Sequence, residues 1–431
     1  MAMPVNKTVG VLAVNVSLIW GSPALAAIQS DVSVGVVEEW IDNVYYSSFD
    51  RRHDLSTEVY LDLNMNSVGE ASQFELGYRV SHENYMRDSY DNANYMQGNG
   101  AFTMHLLPRR LFWNTELNSS ITLRDSITPD SPDNRDQRHF VSTGLDYALL
   151  SSRTNSVTAS ATVSATRFRE ADINNNDRKS AEIAWNHVFS PLVNGGLTCS
   201  GEEADFVDSD VYYETVRCQV NASRRLRNGL IAVDLGKRTI NPNRGDTLDG
   251  LSYSVDFTIE EGRHRYSLNS YRDLSDTSVG LSDQDFVGGG NLPTDVNTDV
   301  LALTVRKRTE FGYRYTLTAT SDIDLLLYRD SDDIYDSNLD TDREGLDLTF
   351  SRMTPNDIRA ALTYRFLRTE YAFATPSESV DYLNIYELGL SKRFSPHFDV
   401  SGVLSAEVRN AETDFQDYEA YSIRVDAAYT F

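Results

Sequence analysis

Past residue 27 the chain holds no apolar run of the roughly 20 residues a membrane-crossing helix needs. No segment keeps a 3.6-residue period over helical length, which excludes a helical bundle. Cysteine is scarce, two in 431 residues, so neither a disulfide-dense scaffold nor a four-thiolate metal centre is available. Bases are in deficit: 39 Lys and Arg against 64 Asp and Glu give a net charge of −25, which argues against binding nucleic acid through a basic surface. Catalytic signatures are missing as well. None of the seven His stands in a zinc spacing, and there is no nucleophile elbow, phosphate loop or dinucleotide fingerprint. His105, His139 and His187 qualify for a hydrolase triad by residue type alone. The sequence therefore predicts no catalytic residue, no metal, no cofactor and no enzyme.

What the chain does have is alternation. It ends YSIRVDAAYTF, with Tyr421, Ile423, Val425, Ala427, Tyr429 and Phe431 at every second position. Period two puts one face of a strand against something apolar and the other against something wet. A soluble sandwich or a membrane barrel would supply that. Leu251 to Ile259 and Ile358 to Phe366 repeat the pattern, as do about twenty segments in all. The 24 Tyr and 18 Phe suit strands. A low overall hydropathy is compatible with a barrel, because only half of each strand faces lipid.

The connections separate the two hosts. Short ones, Leu107 to Arg110, Ser151 to Thr154, Arg227 to Gly229, Glu261-Gly262, Glu310 to Gly312, Thr354 to Asp357 and Ser395 to His397, alternate with longer acidic ones. The long class comprises Asp125 to Asp136, Ala171 to Asp177, Asp273 to Asp299 and Arg329 to Asp342. A sandwich has no reason to sort its loops, whereas an outer-membrane barrel has short periplasmic turns and longer extracellular loops. Phe189-Ser190-Pro191, Met353-Thr354-Pro355 and Phe394-Ser395-Pro396 form a weak repeat at the short turns, where proline's missing N–H costs least. The expected fold is all-β: a closed antiparallel transmembrane barrel of about 16–20 strands. Its last strand pairs with a first strand near Asp31 to Tyr46, because a sheet edge in lipid leaves backbone groups unpaired.

Residues 1–26 read as a signal peptide and residues 27–431 as the barrel. Lys7 gives a weakly basic start, Val9 to Trp20 an apolar stretch, and Ala24-Leu25-Ala26 a small-x-small cleavage site. A barrel with this address belongs in the outer membrane of a Gram-negative bacterium. Lipid and lipopolysaccharide are then its surroundings.

The stretch Val34 to Tyr45, VGVVEEWIDNVY, resembles the opening of a family of outer-membrane β-barrel porins associated with exopolysaccharide and PEP-CTERM gene clusters. Phe74 to Tyr85 and Trp185 to Pro191 are similar to later parts of that family. The resemblance implies a barrel that assists export or assembly of a surface polysaccharide, with polysaccharide and periplasmic export proteins as partners. It carries over no catalytic residue. The terminal aromatics Tyr429 and Phe431 look like the insertion signal that barrel-assembly machinery reads in outer-membrane proteins.

Parity supplies the site candidates. Cys199 and Cys218 fall opposite each other if GLTCSGEEADFVDSDVYYETVRCQV is a hairpin with its tip near Asp208-Ser209. A structural disulfide is then preferred over two free thiols, in an oxidising compartment. Arg359 and Arg365 face inward if Ile358 to Phe366 face lipid, and Arg424 does so if Tyr421 to Phe431 face lipid. Arg306 and Arg308 face inward if Leu301, Leu303 and Val305 are outside. Asp256 and Glu260 are inward acids, with Glu58, Asp62 and Glu75. Such charges would select ions or guide a charged polymer, or simply pair with one another. The acidic run Asp330 to Asp342 lacks the offsets of an EF-hand and reads as a solvated loop. The leading expectation is a conduit or accessory for exopolysaccharide. The alternatives are a general diffusion porin, favoured if the loop Asp273 to Asp299 folds inward, and a non-conducting structural or adhesive barrel.

Overall fold

The computed structural model describes residues 28–125, 128–207, 209–278, 301–335, 340–371, 379–412 and 417–431. The leader assigned from the sequence lies outside them. Twenty strands follow one another: β1 Gln29–Ile41, β2 Asp54–Val68, β3 Ser72–Tyr85, β4 Ala93–Leu107, β5 Leu111–Leu123, β6 Arg135–Ser151, β7 Asn155–Phe168, β8 Asn176–Ser190, β9 Val193–Phe206, β10 Tyr212–Leu226, β11 Gly229–Pro242, β12 Leu248–Glu261, β13 His264–Asp276, β14 Leu303–Thr318, β15 Ser321–Ile334, β16 Thr341–Met353, β17 Ile358–Tyr371, β18 Ser379–Ser395, β19 Phe398–Ala411 and β20 Tyr418–Thr430.

Each strand pairs antiparallel with its neighbour in sequence, and β20 returns to β1 with Ser33 opposite Thr430 and Trp40 opposite Ile423. The sheet is a closed barrel without a free edge. The side chains of Ser33 and Thr430 share a hydrogen bond at 2.8 Å across this seam. Connections at one end run no longer than 354–357, while those at the other include 42–53, 86–92 and 124–134. We call these the short-turn and long-loop ends.

Alternation becomes two faces through the register. Trp185, Leu197, Val220, Leu235 and Tyr253 lie opposite one another in turn across β8 to β12. The first four are solvent-exposed large apolar side chains on the outside of the barrel. One residue along each strand, Asn186, Gly196, Asn221, Asp234 and Ser254 form the matching inner row. There Ser254 donates to the Asp234 carboxylate at 2.8 Å. A water-soluble fold would bury the first row and expose the second; this barrel does the reverse.

Two stretches expected as connections are strand: Glu310 to Gly312 lies within β14, where Phe311 stands opposite Leu327 and continues the outward apolar row, and one acidic run is strand rather than loop. Arg329 to Ile334 belongs to β15 and Thr341 onward to β16. The sequence suggested a solvated loop because the run is so rich in Asp. Asp330 and Asp332 fit a strand because both point inward, where Arg306 and Arg343 await them.

Candidate functional site

Two hairpins leave the wall near the long-loop end and fold into the barrel. The β4–β5 ladder stops at Gly98 opposite Ser119, yet β5 and β6 stay paired up to Leu123 and Arg135. Gly98 marks the split: its φ is +148°, and a Cβ there would lie 2.1 Å from the Gly77 carbonyl oxygen, so only glycine fits. Above it β4 has lost a ladder partner. The Gln137 side chain takes that place, accepting from the Met96 N–H at 2.9 Å and donating to the carbonyls of Met96 and Ser120 at 2.7 and 3.0 Å. The face of β6 that continues the outward row now lies on the inner wall. Arg135 reaches Glu83 of β3 at 3.6 Å and holds Asp130 at 2.6 Å. The Asp136 carboxylate accepts from the backbone N–H groups of Arg169, Glu170 and Ala171 at 2.9–3.1 Å, fixing the β7–β8 connection beside this arm.

The second arm is larger in reach. The β12–β13 ladder stops at Tyr253 opposite Arg272, whereas β13 and β14 remain paired up to Asp276 and Leu303. Leu274 is fully buried against Ala204, Phe206, Tyr213 and Ile240, inward residues of β9, β10 and β11, with Leu301, Leu303 and Val305 packed alongside. At the tip, Asp276 accepts from Arg178 of β8 at 2.8 Å and from the Tyr213 hydroxyl. Arg178 also binds Glu202 at 2.7 Å and the Ser278 hydroxyl at 3.0 Å. Thr277 donates to the Asn174 side chain at 3.2 Å. The arm thus crosses the inner faces of β12 to β9 and is pinned on β8. Leu301, Leu303 and Val305 are not lipid-facing, as parity alone suggested, because the hairpin leaves the wall above Arg272 and turns its outer face onto the inner wall. Of the loop Asp273 to Asp299, residues 279–299 lie outside the described residues; its base folds inward.

Aromatic packing ties two connections together at the same end. Tyr90, in the 86–92 connection, stacks edge-on to Tyr45 and Tyr85 and donates to the Val44 carbonyl at 2.9 Å. Burial pushes its phenol up to about 12.

From the base of the β13–β14 arm downward the wall is a lattice of charge. Arg306 binds Asp332 at 2.6 Å, and Arg343 lies 3.7 Å from Asp332 and 3.9 Å from Asp330. Arg308 pairs with Glu310 and lies 4.0 Å from Asp330. Arg365 stands between Asp347 and Glu387, at 3.9 and 3.5 Å. Arg424 approaches Glu58 at 3.9 Å. Asp256 takes a hydrogen bond from Asn269, and Glu260 lies 3.6 Å from Arg265. Arg359 is exposed near the short-turn end. Register places all of these side chains on the inner face. Cys199 and Cys218, directly opposed on β9 and β10, are disulfide-bonded on the outer face. Tyr429 faces outward from β20, and Phe431 donates its N–H to the Val32 carbonyl at 2.9 Å. Arg178, Arg135, Gln137 and Asp276 were not singled out in the sequence. The one available signal was a strand continuing on one side after its ladder partner on the other side had ended, and that needs the register. Among the described residues no cluster of His, Cys, Asp or Glu could hold a metal ion.

No protein-family model matches the sequence, and no curated protein matches it. Solved structures do. The outer membrane protein opdK from Pseudomonas aeruginosa is similar over 94% of this chain and 99% of its own, at 9% identity and a TM-score of 0.43. OccAB2 from Acinetobacter baumannii is similar over 94% and 98%, at 11% identity and a TM-score of 0.42. The copper transporter OprC is similar over 95% and 81%, at 8% identity and a TM-score of 0.46.

Proposed function

We propose that this chain is an outer-membrane pore for small solutes. The inward fold of the β13–β14 arm carries the reading. A polar, charge-lined interior behind an apolar exterior is what a water-filled channel across a bilayer requires. An arm pinned across one quarter of that interior leaves passage for small molecules and obstructs a thick polymer. The other arm, from β5 and β6, narrows the neighbouring stretch, with the β7–β8 connection between the two. The short turns then face the periplasm and the long loops the outside, the leader directs export, and Tyr429 and Phe431 engage the assembly machinery. The reading includes no catalysis.

Planar-bilayer recording of the purified protein tests this. Discrete steps of conductance support the pore; a membrane-inserted barrel without conductance sinks it and leaves a structural or adhesive role.

Export of a surface polysaccharide, which the family resemblance implies, is the second reading. It needs both arms to swing off the wall. Deletion of the protein should then trap polymer in the periplasm and deplete it from the cell surface, with recovery on complementation. Unchanged polymer in both places removes it.

A further inference from the structure

We infer, resting on the pore reading above, that the channel prefers cations, because one arc of its wall carries a surplus of acids that the opposite arc does not offset. Along β1 to β5 the register turns Glu39, Glu58, Asp62, Glu75, Glu83 and Glu116 inward, and Arg79 is the sole Lys or Arg on those inner faces. Arg79 is consumed by Asp62 in a two-pronged pair at 2.6 and 2.8 Å. Glu58 and Glu83 receive Arg424 and Arg135 from other parts of the barrel, at 3.9 and 3.6 Å. Glu75 and Glu116 have no ion pair among the described residues, and both are exposed. They sit level with each other: Glu75 is opposite Ala101 on β4, and Ala101 is opposite Glu116 on β5. Two strand spacings put their backbones about 10 Å apart. That is close to the screening length of ~0.1 M salt, so their fields overlap.

The facing arc is built differently. On β14 to β17 the inward bases Arg306, Arg308, Arg314, Arg343, Arg359 and Arg365 are matched in number by inward acids, and most are tied up in pairs. Paired charges cancel within a few ångströms, while unpaired carboxylates on a low-dielectric wall project their field into the water between. The interior potential is therefore negative on balance. Small cationic solutes are concentrated and anionic ones are held out.

The test is the reversal potential of the full-length native barrel in a planar bilayer under a tenfold potassium chloride gradient. We expect potassium to be favoured over chloride by about threefold or more at low salt, with the preference shrinking as both sides approach molar salt. Glu75→Gln combined with Glu116→Gln keeps side-chain shape and should lower the ratio by about half. A pore that conducts without preference, or prefers chloride, overturns the inference and leaves the pore standing. A double variant that conducts with the wild-type ratio overturns the assignment to this wall. Absence of any conductance removes the pore reading and this inference with it.

Discussion

Glu58 and Glu83 stand directly opposite each other in the β2–β3 ladder, two acids turned toward the same interior. Directly opposed like charges destabilise a ladder. Each is relieved by a base that its own hairpin does not provide. Arg424 comes from β20, which β1 separates from β2, and Arg135 from the arm folded in above β5. The repulsion built into one hairpin thus helps hold the inward arm in place.

Arg135→Gln should loosen that arm. Losing its pairs with Glu83 and Asp130 leaves a half-buried carboxylate against a like charge, a destabilisation of about 1–3 kcal/mol. Denaturant unfolding of the purified barrel measures it. Adding Glu83→Gln should recover part of the loss in a double-mutant cycle; strict additivity would show that the pair is not coupled.

Asp276→Asn should release the β13–β14 arm. Asp276 and Arg178 are both nearly inaccessible, and breaking such a pair costs about 3–5 kcal/mol because the surviving charge stays buried. Single-channel conductance should rise if the arm narrows the pore. Unchanged conductance would mean that the arm stands clear of the solute path.

Parity through a membrane is tested by neighbours of opposite face. Val220 points outward in the apolar row, and Asn221 points inward. Val220→Arg should destabilise the inserted barrel by about 2–4 kcal/mol, whereas Asn221→Arg should be tolerated within about 1 kcal/mol. Equal effects would argue that the exterior does not face hydrocarbon.

Cys199 and Cys218 should resist alkylation until reductant is added to the unfolded protein. Replacing both with Ser should lower stability by about 3 kcal/mol or less, the loop-closure value for a loop of this length, and leave conductance intact. Alkylation of the unreduced, unfolded chain would show two free thiols instead.

Removing Phe431 should reduce the amount of barrel recovered in the outer membrane and spare the conductance of those molecules that do insert. Recovery equal to the full chain would separate the terminal aromatic from assembly.

Most of the wall was legible in the sequence, since alternation is local and a strand of this kind announces itself. Opposition of Cys199 and Cys218 followed from hairpin symmetry, and the inward direction of Arg365 and Arg424 followed from the parity of Leu362 and Ile423. The arms were not legible. Leu303 and Val305 carry the same alternation as lipid-facing residues, and nothing in their own neighbourhood says that the surface they meet is Phe206, Tyr213 and Ile240 rather than acyl chains. An apolar face looks the same whether lipid or protein covers it. The Asp-rich start of the β15–β16 connection misled for the complementary reason, because its partners Arg306 and Arg343 lie on other strands.

Closure through β1 and β20 has one more consequence. The seam is an ordinary antiparallel ladder, with Ser33 bonded to Thr430 across it. Both ends of the described chain come together there at the short-turn end. Joining them by a brief linker and cutting instead at a turn such as 227–228 would move the seam without disturbing a single ladder. The barrel is in this sense a ring, and the order in which its strands are synthesised is a separate property from the shape they make.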